Sequence, residues 1–335
     1  MEKLNVAVVG VGHLGKEHAR IYNSLADVQL KAVVDANAQR ARAIGENEHV
    51  PFFYDHRELL TEGIDAVSVA VPTASHFEIA NDFLKAGVSV LVEKPMTRTL
   101  DEADTLIRLA REKNKTLQVG HVERFNPIVS AIRDKLNRPR FIECHRLSPF
   151  SFRSVDIDVV MDVMIHDIDI ILHLVPSPLA RVDAVGVPVI SGRVDIANAR
   201  LVFEDNCVAT VSASRVSDRS MRKIRIFSLD AYLSVDYMQK SARLFRKAAG
   251  FENSKNVLEK VDITTLKNPA EFFMKNMLSI EDIKIDGHEE PLKLELRSFV
   301  NAVKTRTEPE VPGEHGKRAI AAALQILESI EKNSR

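Results

Sequence analysis

Two short stretches carry residue types whose spacing suits proton and hydride chemistry. Asp162, His166 and Asp169 stand at i, i+4 and i+7. On a helix they share one face, with an imidazole between two carboxylates. A carboxylate beside an imidazole fixes its tautomer and leaves a competent general base. The plainer reading of the same stretch is a helix-surface histidine with capping carboxylates. A divalent-metal reading falls away, because no second histidine stands nearby at ligand spacing. The other stretch is Glu93-Lys94-Pro95, which directly follows the apolar run 88–92. Ligands collect outside the carboxyl ends of the strands in an open α/β sheet, so Lys94 is expected beside the reacting centre and not as a lysine in an ordinary turn. Pro95 restricts Lys94 to extended backbone and admits a cis bond.

A third stretch, Gly10-Val11-Gly12-His13-Leu14-Gly15, fits G-x-G-x-x-G. Its context gives it force: a strand-like run precedes it and a helical pattern follows. Gly10 permits the turn, Gly12 lets a pyrophosphate approach the backbone, and Gly15 lets helix and strand pack closely. The helix N-terminus then presents N–H groups and a partial positive charge to phosphate. Asp35, twenty residues after Gly15, ends the next apolar run. A carboxylate there accepts from both ribose hydroxyls and repels a 2′-phosphate, which favours NAD over NADP. Arg40, five residues on, works in the opposite direction.

The elements that must position these groups alternate. From residue 4 to about 120, apolar runs at 4–9, 30–35, 66–71, 88–92 and 116–119 are interleaved with helical patterns at 14–25, 76–86 and 99–110. Continuous valine-rich runs suit a parallel sheet covered on both faces. Thr99-Leu100-Asp101-Glu102 is a capping box, and Ala103, Leu106, Ile107 and Ala110 behind it form one stripe. This is the rhythm of a doubly wound α/β domain. After Gly120 the texture becomes β-rich, at 140–147, 182–190, 197–203, 207–214 and 224–229, with Glu204-Asp205-Asn206 as a hairpin turn. Consecutive strands without intervening helices imply an antiparallel sheet. The segment 245–268 is polar and poor in periodicity, and helices at 292–305 and 316–331 close the chain.

Length and composition bound the function. At 335 residues the chain holds about two domains. Its 46 basic and 47 acidic residues give a net charge of −1, so no overall field attracts nucleic acid or an anionic membrane. No stretch approaches the roughly 20 apolar residues of a membrane span. The apolar run 6–9 stops at glycines, so the start reads as a buried strand and not a signal peptide. Two distant cysteines, Cys144 and Cys207, exclude a zinc knuckle and a disulfide scaffold and fit a reducing, cytoplasmic setting.

The glycine turn, Asp35, Pro72-Thr73-Ala74-Ser75-His76, Glu93-Lys94-Pro95 and Gly120-His121-Val122-Glu123-Arg124-Phe125-Asn126-Pro127 occur in this order. Together they resemble the Gfo/Idh/MocA oxidoreductases over essentially the whole chain. The resemblance implies an α/β protein with an N-terminal Rossmann domain over 1–120. A C-terminal α+β domain over 121–335, with a large, mainly antiparallel open sheet, would complete it, the last helix packing back on the first domain. It implies hydride exchange between NAD(P) and a sugar-like alcohol. The cofactor would be held by Gly10, Gly12, His13, Leu14, Gly15 and Asp35, and by the loop residues Pro72, Thr73 and His76 with Glu93 and Lys94. The family pattern D-x-x-x-H-x-x-D is matched by Asp162, His166 and Asp169. His166 is then the base, Asp162 its partner, and Lys94 the stabiliser of the developing alkoxide. The Gly-Gly pair that usually precedes this pattern is absent, since 156–161 reads Asp-Ile-Asp-Val-Val-Met. That departure bears on the local substrate pocket, not on the base. His121, Arg124, Asn126, Arg153 and Asp169 are the expected substrate contacts.

The phrase 158–169 is similar to the members that oxidise the 3-hydroxyl of UDP-N-acetylglucosamine for lipid A assembly, with an aminotransferase acting next. Arginines at 124, 146, 153, 215, 219 and 222 suit a diphosphate, two or three of them in the site. A free-sugar or inositol dehydrogenase is the alternative, and a non-catalytic NAD(P)-binding sensor a further one. The resemblance also implies a homodimer or homotetramer.

Overall fold

In the computed structural model, residues 3–151, 157–248, 267–269, 271–272, 277–285 and 289–333 are described. The first valine-rich run is β1 (Leu4–Val9), followed by α1 (Gly15–Ser24), β2 (Val28–Val34), α2 (Ala38–Glu48) and the two-residue β3 (Phe52–Phe53). Then come β4 (Ala66–Val69), α3 (His76–Lys85), β5 (Ser89–Glu93), α4 (Leu100–Glu112) and β6 (Leu117–Gly120). The six strands pair in parallel in the order β3-β2-β1-β4-β5-β6. Every residue of β4, β5 and β6 is buried, the reason their sequences are mostly apolar and do not alternate with exposed polar residues. Strand order reverses between β1 and β4, so the crevice for a ligand opens beyond their carboxyl ends. The capping box forms as its residues require. Thr99 Oγ1 accepts from the Glu102 N–H and Glu102 Oε2 from the Thr99 N–H, each at 3.2 Å.

Past β6, α5 (Pro127–Ile132) and β7 (Phe141–Leu147) follow. A π turn over Val160–Met164 leads into α6 (Ile165–Leu174). This corrects the expectation of a plain α-helix through 162–169. Single π turns are frequent at functional sites, and this one contains Asp162. Seven strands then run from β8 (Leu179–Val187) through β9 (Ile196–Phe203), β10 (Val208–Ser214), β11 (Met221–Phe227), β12 (Ala231–Asp236) and β13 (Ser241–Lys247) to β14 (Leu278–Lys284). With β7 they form an eight-stranded sheet in the order β14-β13-β12-β11-β7-β10-β9-β8, antiparallel except for the β7–β10 pair. The hairpin turn is where its sequence puts it, with Asn206 in the left-handed region at φ +67°. The polar segment 245–268 begins inside β13, where Phe245 stacks on Tyr232 at 5.1 Å. Arginine and lysine on the exposed face of that strand hide its period. Its remainder from 249 to 266 lies outside the described residues. Two helices, α7 (Pro291–Thr305) and α8 (Gly313–Asn333), end the chain.

The chain divides into two units that are not continuous in sequence. One comprises 1–125, 160–172 and 289–328, the other 126–159, 173–288 and 329–335. Two returns of the chain cross the linear division at 120/121, one of them including the last helix. Segment 160–172 and most of the two last helices belong with the six-stranded sheet. Cys144 and Cys207 are both buried and neither forms a disulfide among the described residues.

Candidate active site

The glycine turn follows β1 and opens α1. Gly10 has φ +83°, and a Cβ there would meet the Ala70 carbonyl at 2.6 Å. A Cβ on Gly15 would fall 1.7 Å from the Gly10 carbonyl oxygen. Neither position admits any other residue. At Gly12 a Cβ would meet only the Arg40 guanidinium, at 3.2 Å, so that stretch of backbone is open to approach. His13 is exposed and Leu14 half-buried. No side chain caps α1, which leaves its N-terminus available to an anion. The Asp35 carboxylate closes the turn, accepting from the Val11 N–H at 3.0 Å and from the Asn37 N–H at 2.9 Å. Arg40 Nε lies 3.7 Å from Asp35 Oδ2. These residues fit a dinucleotide: an uncapped helix start behind an open glycine backbone, and a fixed carboxylate one strand away. Asp35→Ser is expected to cut the preference for NADH over NADPH about 10- to 100-fold, the worth of one or two hydrogen bonds to a charged group. The ratio of dissociation constants measured by nicotinamide fluorescence checks this.

Lys94 leaves the end of β5 across a cis Lys94–Pro95 bond. Its Nζ donates to the Asp162 carbonyl at 2.7 Å and to Asp162 Oδ1 at 3.1 Å. Both side chains keep partial access, at 17% and 24% exposure. The π turn is thus the place where helix backbone and lysine meet. His166 lies one turn further, at the start of α6, and is likewise partly exposed. The Asp162 carboxylate is engaged by Lys94, a partner the spacing 162–166 does not indicate. Lysine, carboxylate and imidazole, with the glycine turn, all belong to one unit. Such a set can hold positive charge, fix its position and accept a proton.

Other expected contacts lie deeper. His76 is buried, with Nδ1 2.8 Å from the Pro95 carbonyl and Nε2 2.9 Å from that of Val71. Burial lowers its pKa, and a neutral ring donates to one of these carbonyls. Its place is to staple the loop after β4, where Pro72 is exposed and Thr73 half-buried, to the turn of Lys94. Arg124 grips Asp169 in a two-pronged bond, Nε to Oδ2 at 3.0 Å and Nη2 to Oδ1 at 2.8 Å. Each side chain is only 3% exposed. His121 is buried too, and burial lowers its pKa. Arg124 and Asp169 satisfy each other as a guanidinium fork and a carboxylate do once out of water, and His121 is buried as well. Asn126 caps α5, its Oδ1 accepting from the Ile128 N–H at 3.3 Å. Arg153 lies outside the described residues. Arg215 is buried against Asp195, Nε to Oδ1 at 2.8 Å, where it anchors a loop.

Burial pushes the Asp169 carboxyl up, but His121 and Arg124 outweigh it and hold the group below the usual carboxylate range. A depressed pKa gives stability that is present above about pH 4 and lost as pH falls through the folded value. Asp169→Asn removes that acid dependence and leaves a buried arginine uncompensated, with an expected loss of about 3–5 kcal/mol. Urea denaturation at neutral pH and at about pH 3 checks both effects. Three further buried polar groups near the site, His18, Gln118 and Glu295, are not apparent from motifs. Only the helical period, which puts His18 with Ala19 and Tyr22 on the apolar face of α1, hints at the first.

A parallel β3-β2-β1-β4-β5-β6 sheet with its glycine turn and Asp35 defines an NAD-binding oxidoreductase domain. The comparison with known families agrees. Residues 4–121 match the family described as oxidoreductase, NAD-binding Rossmann fold, and 136–233 match the GFO/IDH/MocA C-terminal domain. The chain belongs to the Gfo/Idh/MocA oxidoreductase family. It is 35% identical to UDP-N-acetylglucosamine 3-dehydrogenase of Acidithiobacillus ferrooxidans over 99% of this chain and 98% of that protein. A solved structure of that enzyme superposes with a TM-score of 0.87, covering 99% of each chain. Myo-inositol 2-dehydrogenase of Thermotoga maritima is 23% identical, over 98% of this chain and 97% of that protein. Scyllo-inositol dehydrogenase from Lactobacillus casei, solved with NAD(H) and scyllo-inositol, shares the fold at a TM-score of 0.79 and 20% identity, covering 99% of this chain and 98% of that one. No helix among the described residues is long and apolar enough to cross a membrane.

Proposed function

We propose that this protein oxidises a secondary hydroxyl of a nucleotide sugar, the 3-hydroxyl of UDP-N-acetylglucosamine, to a ketone. One observation carries the chemistry: Lys94 Nζ is held 3.1 Å from the Asp162 carboxylate, with His166 one turn on and the glycine turn in the same unit. The substrate rests on the 35% identity, spanning nearly both chains, with an enzyme of that name.

His166 takes the hydroxyl proton as the carbon gives up its hydride. Lys94 keeps an ammonium beside the oxygen as negative charge grows there, which in a water-poor site lowers the barrier by several kcal/mol. Asp162 positions that ammonium through two acceptors. NAD, when bound, supplies the hydride acceptor, held by the backbone at Gly12, the start of α1 and Asp35. The ketone is a substrate for amination, so an aminotransferase is the fitting next enzyme and lipid A assembly the fitting setting. The protein works in the cytoplasm as a homo-oligomer in this reading.

The test mixes protein, NAD and UDP-N-acetylglucosamine with a ketone trap or a coupled aminotransferase and follows NADH absorbance. The trap is needed because oxidation of a secondary alcohol by NAD runs uphill. The expected result is NADH formation with the nucleotide sugar and none with free polyols. Turnover of inositol or glucose with none of the nucleotide sugar would overturn the substrate and keep the chemistry.

A further inference from the structure

Glu295 is a carboxylate in an apolar place. It lies within α7 between Leu294 and Leu296, is 0% exposed, and neither of its oxygens has a hydrogen-bond partner among the described residues. A second carboxylate, Glu93 at the end of β5, is buried as well. Its Oε2 accepts from the Lys94 N–H at 3.3 Å. Its Oε1 is 3.2 Å from His18 Nε2 on α1, out of line for a hydrogen bond.

Strand register explains the gathering. Ser68 pairs with Leu91, Leu91 with Gln118, and Glu93 with Gly120. Side chains at these positions point to one face of the sheet. On that face Leu91 packs in one apolar cluster with Tyr22 of α1 and Leu296 and Phe299 of α7. The Tyr22 hydroxyl bonds Ser68 Oγ at 2.8 Å, and Gln118 Nε2 donates to the Glu295 carbonyl at 3.2 Å. Gly120 is required here, since a Cβ would stand 2.7 Å from the Glu93 carboxylate. Two ionised carboxylates beside one imidazole in such surroundings leave a buried charge uncompensated.

We infer that Glu295 is held as a neutral carboxylic acid by its apolar surroundings and by the buried charge of Glu93, and that Glu93 positions the Lys94 turn against α1. It rests on the reading of Lys94 given above and deepens it: the helix that faces the cofactor's phosphates and the turn that bears the lysine meet at the Glu93 carboxylate, which a second ionised carboxylate would disturb. His18 and Tyr22 face the cluster from α1, Glu93 from β5, His121 and Arg124 from the turn after β6, and Asp169 from α6. Burial, then the charges of Glu93 and Asp169, raises the Glu295 pKa well above the carboxylate range.

A raised pKa gives stability that is complete below about pH 4.5 and lost as pH rises through the folded value. Glu295→Gln keeps the shape and the neutral donor. Its Tm should match wild type at about pH 4.5 and gain on it by about 2 °C per pH unit above that. Wild-type NADH affinity should weaken over the same range while that of Glu295→Gln holds. Glu295→Leu, which also removes the titrating group, should track Glu295→Gln in the pH dependence of both Tm and NADH affinity. Parallel Tm curves for wild type and Glu295→Gln would overturn the neutral acid. Wild-type NADH affinity that holds constant over this range would overturn the coupling, and Glu295→Leu serves the same purpose if Glu295→Gln does not fold. Neither readout needs the sugar, so failure of the substrate reading and failure of this one are told apart.

Discussion

Replacing His166 by alanine is expected to lower kcat by about 10²–10⁴, with NADH affinity unchanged. The magnitude follows from the role. A general base makes its contribution only as the proton moves, so its loss lowers kcat and kcat/KM together and leaves ground-state binding alone. His166 suits this role because it is partly exposed at the start of α6, where its proton passes to water. Three other imidazoles, His18, His76 and His121, are buried. Steady-state kinetics of His166→Ala with the coupled assay measures the loss. Full turnover in that variant would remove His166 from the mechanism.

The second large effect is expected at Lys94. Lys94→Met keeps much of the stem and deletes the charge, and should cost about 10²–10³ in kcat, the usual worth of one preorganised donor at a developing oxyanion. It also strands the Asp162 carboxylate, which would otherwise be held by Nζ. Lys94→Arg should recover little of this, because a planar guanidinium does not reproduce a compact ammonium seated on one carbonyl and one carboxylate oxygen. Kinetics of both variants, with NADH affinity as control, measures the effect. An arginine variant at wild-type speed would show that bare positive charge suffices.

Several features of the molecule are legible in the sequence because they depend on neighbours a few residues apart. The glycine turn, Asp35 at the end of β2, the capping box at Thr99 and the turn at Asn206 are set by backbone sterics and short-range hydrogen bonds. Continuous burial of β4 to β6 shows as short, mostly apolar, valine-rich runs. The order of these elements determines the doubly wound sheet, and with it the place of Lys94 beyond a strand end. β12 and β13 are harder to see, since alternation with polar or charged residues on the other face makes a strand look like polar loop.

The tertiary structure decided the fates of the polar residues. Arg124 and Asp169 are 45 positions apart, and they pair with each other in the interior. The π turn brings Asp162 to Lys94, 68 positions away, where the spacing alone points to His166. Glu295 reads as one more charge on an amphipathic helix until sheet register sets it against Glu93 and His18. Apolar residues are sorted by periodicity, which a sequence displays. A buried charge is governed instead by the one partner that compensates it, and that partner is chosen by long-range register and packing.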